Sequence, residues 1–101
     1  MLVKFTEVCT SSAVTVGQDY KLREVFINPE HVIMIREDMR VKRLNESGML
    51  KLSDSAKLNI EHRFSKLTIN RGHTGSEIIV VGAPEIIENL LKEQERQILR
   101  G

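Results

Sequence analysis

The segment Ile69-Asn70-Arg71-Gly72-His73-Thr74-Gly75-Ser76-Glu77-Ile78-Ile79-Val80 gathers residue types that phosphate-gripping loops use: two glycines, two hydroxyl side chains and a histidine, with an apolar run behind them. Such loops work because backbone N–H groups and a helix N-terminus converge on the anion. The usual pattern is G-x-x-x-x-G-K-[ST] leading from a strand into a helix. Here Gly72 and Gly75 are three apart, no lysine follows, and the next run, Glu77–Val81, reads as a strand. The dinucleotide pattern fails for the same reason. What remains is a hairpin turn in which glycine supplies positive φ, with His73 at a solvated tip.

The other chemistry-bearing residues are scattered. His31, His62 and His73 match no metal-ligand spacing. Cys9 is the single cysteine, so there is no internal disulfide and no cysteine-rich zinc site; it reads as a small packing residue near a strand end. Glu37-Asp38 lies between Arg36 and Arg40, a pattern that suits a solvated charged face better than a general acid/base pair. The sequence therefore nominates no catalytic residue, no cofactor and no metal site, and a non-enzymatic role is expected.

Charge distribution supplies one candidate surface. Residues 36–73 hold nine Lys/Arg and five Asp/Glu, whereas the chain as a whole carries +1. Arg40-Val41-Lys42-Arg43 is the densest basic patch. With Arg63, Lys66 and Arg71 it forms a candidate nucleic-acid face over 40–71. Aromatic residues for stacking bases are few: Phe5, Phe26, Phe64 and Tyr20. The three phenylalanines fall in strand-like runs, where a core position is expected.

These residues need elements to place them. Residues 1–9 read as a strand with Val3 and Phe5 on one face, and 10–23 as a connecting hairpin with a weak strand pattern. Glu24–Ile27 reads as a strand. Asn28-Pro29-Glu30-His31 makes one short helical turn, with Asn as cap and Pro at a first helical position. Val32–Ile35 returns to strand. The charged stretch around 37–62 is expected to be a hairpin or arm with a turn at Asn45–Gly48; within 49–64, an extended arm with its tip near 53–56 stands beside a helical face of Leu52, Ala56 and Ile60. Residues 63–70 place Phe64 on one face and Leu67 and Ile69 on the other. Glu77–Val81, apolar on both faces, is expected in the interior of a sheet. Gly82-Ala83-Pro84-Glu85 opens a helix whose apolar stripe is Ala83, Ile86, Ile87, Leu90 and Leu91. A helix of 18 residues is about 27 Å long, against roughly 17–20 Å for a typical strand. Its last turns, with Ile98 and Leu99, are expected to overhang and meet a second subunit.

A hydrophobic content of 41% and a charged content of 29% exclude disorder and a membrane-embedded chain. The longest apolar runs are Val32–Ile35 and Ile78–Val81, far short of the ~20 residues of a spanning helix. The beginning MLVKFTEVCT is interrupted at Lys4 and lacks a signal-peptide layout, so a cytoplasmic location without membrane insertion is expected.

The order of elements resembles the small FlbD-like flagellar proteins. The residues that carry the resemblance are Phe26-Ile27-Asn28-Pro29-Glu30, Leu67-Thr68-Ile69-Asn70-Arg71-Gly72 and Val80-Val81-Gly82-Ala83-Pro84-Glu85-Ile86-Ile87, within 24–35 and 64–91. Departures are the charged arm from 37 to 62, Asn-Arg-Gly where Asn-Gly is usual, and a longer helix. The resemblance implies a small cytoplasmic accessory protein acting through protein contacts, without catalysis.

The sequence thus predicts a single α+β domain over 1–101: a small antiparallel sheet of about five strands with one long C-terminal helix packed on it. The expected function is a protein-binding or assembly module whose partner is another protein or a second copy in a homo-oligomer. The alternative is a nucleic-acid-binding regulator using the basic 40–71 face.

Overall fold

The computed structural model describes residues 2–10, 20–50, 58, 61–71 and 74–100, with the side chains of Thr10, Arg71, Thr74 and 94–100 left aside. The elements are β1 (Val3–Thr10), β2 (Tyr20–Ile27), a 3-10 turn (Pro29–His31), β3 (Val32–Glu37), α1 (Met39–Glu46), β4 (Phe64–Arg71), β5 (Thr74–Val81) and α2 (Pro84–Arg100). The strands form one antiparallel sheet in the order β2-β1-β5-β4-β3. β5, the strand apolar on both faces, is central, as its composition requires.

The turn signals act as read. Asn28 Oδ1 accepts a hydrogen bond from the Glu30 N–H at 3.0 Å, which caps the 3-10 turn that Pro29 opens. β4 and β5 form a hairpin in register from Phe64–Val81 to Arg71–Thr74. The connecting residues 72 and 73, and with them the expected tip at His73, lie outside the described residues.

The short corner has a large consequence. β2 and β3 are the two edges of the sheet, yet only residues 28–31 join them. The register sets Ile27 at one end of the sheet and Val32 at the other. In a flat sheet the two residues would lie roughly 30 Å apart, from ~3.3 Å per residue along a strand and ~4.8 Å between strands. Five Cα steps reach about 19 Å even when fully extended. The sheet therefore coils into an open barrel, which strand twist and stagger permit.

The inner face and α2 enclose the main core: Val3, Phe5, Ile27, Leu67, Ile69, Val80, Ile87 and Leu91. The outer face carries a second cluster of Val8, Tyr20, Phe64 and Val41, the last from α1. Phe64 thus falls on the face opposite Leu67 and Ile69, as alternation dictates.

Four expectations need correction. The hairpin arm proposed around 37–62 contains a helix instead, α1 over Met39–Glu46. Asp38 caps it, accepting from the Val41 N–H at 2.9 Å, and Val41 and Leu44, three apart, turn the same face to the sheet. It ends at the expected turn, where Gly48 takes φ +73°. The remainder of that arm, apart from residues 49, 50, 58, 61 and 62, lies outside the described residues.

The described residues consequently hold two α-helices where one was expected. The seating of α2 is also short: Ala83, Ile87 and Leu91 are buried, whereas Ile86 is 56% and Leu90 39% exposed. The i, i+4, i+8 line packs and its i+3 flank does not. Finally, Phe26 is 56% exposed on the outer face instead of lying in the core.

Candidate interaction surfaces

The predicted basic face divides in three. Arg63 is held inside a carboxylate clip: its Nε donates to Glu37 Oε2 at 2.8 Å and its Nη2 to Glu37 Oε1 at 2.9 Å. Glu85, in the first turn of α2, receives two longer bonds at 3.4 Å. The hydrogen bond from Arg63, aided by its charge, holds the Glu37 carboxyl below its ordinary pKa, against some burial. The same pairing raises the Arg63 guanidinium above its ordinary value. Lys66 reaches Asp38 Oδ2 at 3.9 Å, while the other oxygen of that buried carboxylate caps α1. Strand pairing thus brings to Arg63 and Lys66 carboxylates that sequence spacing does not reveal. The Arg71 side chain lies outside those described.

Arg40, Lys42 and Arg43 stay together on α1. Arg40 and Arg43 are exposed and Lys42 is half-buried. Helical spacing spreads them over the solvent side of α1, opposite Val41 and Leu44. Among the described residues none of the three is within salt-bridge distance of a carboxylate.

The remaining chemical candidates keep apart. His31 is exposed in the 3-10 turn and His62 is half-buried. Cys9 Sγ lies 3.5 Å from the Lys21 carbonyl, in a half-buried strand position. The described residues hold no group of three or more His, Cys, Asp or Glu that could bind a metal ion. Glu7 escaped the sequence reading: it is buried and accepts from Arg23 Nε at 2.9 Å. Its place on the Val3–Phe5 face was the available signal.

Apolar surface defines the other candidates. β3 is an edge strand with a bulge between Val32 and Met34, and Ile33 there is 61% exposed. A groove of about 350 Å³ runs between this edge and α2, lined by Pro29, Ile33, Met34, Glu88, Leu91 and Lys92 among others. On its α2 side Lys92 bonds Glu88 at 2.7 Å, so that rim is locally neutral. A second space, of about 340 Å³, opens where β2 curls toward β4 and β5, beside Leu2, Phe26, Ile69 and Ile78. The expected oligomer contacts Ile98 and Leu99 lie in α2, but their side chains are not among those described.

Fold and surfaces define a small α+β domain with a coiled five-stranded sheet. Among the described residues no helix is long and apolar enough to cross a membrane. No protein-family model, curated protein or solved structure matches the chain.

Proposed function

We propose that this chain is a small, non-enzymatic, cytoplasmic protein-binding module whose partner seats in the groove between β3 and α2. A second copy of the chain is the first partner to test. The observation that carries the reading is Ile33, exposed on a bulged edge strand beside Met34 and Leu91. An apolar groove with a polar, charge-balanced rim suits the anatomy of a protein interface. The FlbD-like resemblance belongs to the same reading, since it too implies action through protein contacts.

The test is native mass spectrometry of the wild type and of Ile33→Lys. The expected result is a dimer or higher oligomer that Ile33→Lys converts to monomer with its circular dichroism unchanged. An oligomer indifferent to Ile33→Lys, or a wild-type monomer that binds no protein, would overturn the reading.

A second reading rests on Arg40, Lys42 and Arg43 gathered on α1. Three phosphate contacts give a log affinity against log salt slope of about −2 to −3. Reversing all three to Glu would abolish such binding.

A further inference from the structure

We propose that the space between β2 and the β4–β5 hairpin is a binding site for a small apolar molecule bearing one hydrogen-bond acceptor group, a carboxylate or carbonyl. This site is separate from the β3–α2 groove, and the inference does not depend on the protein-binding reading.

The space follows from the coil of the sheet. Val25 and Ile27 of β2 come to share a cavity with Ile69 of β4 and Ile78 of β5. Ile87 and Leu91 of α2 pack into the inner face, but among the described residues neither they nor any other α2 residue lines this space. Ser76 has the interior-facing parity of Ile78 and Val80 and pairs with Ile69. Ser76 is small and solvent-exposed, so it leaves this end of the space open at its mouth. The volume of about 340 Å³ falls within the range of small-molecule sites, which are mostly apolar with a few placed polar groups.

The polar groups determine the ligand class. Asn28, His31 and Ser76 line the cavity with the aliphatic residues. Asn28 uses Oδ1 to accept from Glu30, which leaves its Nδ2 hydrogens to donate. His31 offers an imidazole N–H and Ser76 a hydroxyl. All three can donate, and among the described residues no carboxylate lines the wall. An acceptor on the ligand is therefore favoured over an ammonium group. At ~30 Å³ per water-sized group, the body has roughly ten to a dozen non-hydrogen atoms.

The experiment titrates the full chain with 3-phenylpropanoate and, separately, with 3-phenylpropylamine, following isoleucine and leucine methyl resonances by NMR. The acid should give saturable 1:1 shifts at Ile27, Ile69 and Ile78 with Leu44 unmoved, and the amine should bind at least tenfold more weakly. Ser76→Trp should abolish the acid's shifts by filling the cavity. His31→Ala, at an exposed position, should leave the methyl spectrum intact and weaken the acid three- to tenfold. No saturable shift with the acid, equal binding of the two probes, or shifts that survive Ser76→Trp would overturn the assignment. If Ser76→Trp does not fold, an unchanged affinity in His31→Ala overturns it instead.

Discussion

The Arg63 guanidinium donates to both carboxylate oxygens of Glu37, at 2.8 and 2.9 Å, across the pairing of β4 with β3. The geometry is the two-pronged one that arginine forms with carboxylates. Glu85 joins from α2, so one side chain ties the edge strand, its neighbour and the start of the C-terminal helix.

The clip makes stability depend on pH in one direction. The Glu37 carboxyl is held below its ordinary value by its hydrogen bond from Arg63. Its stabilisation is complete above the unfolded carboxylate pKa of about 4.3 and fades as pH falls through the lower folded value. Urea midpoints of wild type and Glu37→Gln should differ at pH 7 and converge toward pH 2–3. A constant gap across that range would contradict the assignment.

Asp38 is the buried N-cap of α1 and accepts a hydrogen bond from the Val41 N–H. Replacing it with Ala should cost about 1 kcal/mol, toward 2 because the carboxylate also meets Lys66. Hydrogen exchange at Val41 and Leu44 should accelerate more than at Leu67. Uniform acceleration would mean that α1 does not open separately from the sheet.

Gly82 carries the chain from β5 into α2 at φ +134°. Its N–H donates to the Arg63 carbonyl and its carbonyl accepts from Ser65 Oγ, both at 2.7 Å. A Cβ there would stand 3.0 Å from Ile87 Cδ1. Gly82→Ala should therefore destabilise by more than about 1 kcal/mol. Gly48→Ala, in open space at φ +73°, should lose only the left-handed cost of about 1–2 kcal/mol. Thermal melts of the pair should rank Gly82→Ala below Gly48→Ala.

The two neighbouring isoleucines of α2 should behave oppositely. Ile87 is 1% exposed, and Ile87→Ala should cost about 2–5 kcal/mol. Ile86 is exposed, and Ile86→Ala should stay within about 0.5 kcal/mol in chemical denaturation. Equal losses would show that the flank of α2 is covered in solution.

Several local signals act in the structure as the sequence suggests. Asn28-Pro29 made the corner, Pro84 opened the helix, and Glu77–Val81 took the central strand. The α1 helix was misread because Val41 and Leu44 alone are too few to mark a period, and the signal that mattered was Asp38 as cap. Phe26 was misread because a strand residue's face can be counted from sequence, but not whether anything covers that face.

The basic surface shows the same boundary. The grouping of Arg40, Lys42 and Arg43 was legible, since one short helix holds them. The pairing of Arg63 with Glu37 was not, since those residues are 26 apart and meet only through strand register. By itself, the sequence determined strand parity, the Asn28-Pro29 corner and the start of α2, because these depend on a residue and its near neighbours. The coil of the sheet, the cavity beside Ser76 and the choice of which charges remain free were decided by tertiary structure. A four-residue link between opposite edges constrains the whole sheet, and that constraint exists only once all five strands have paired.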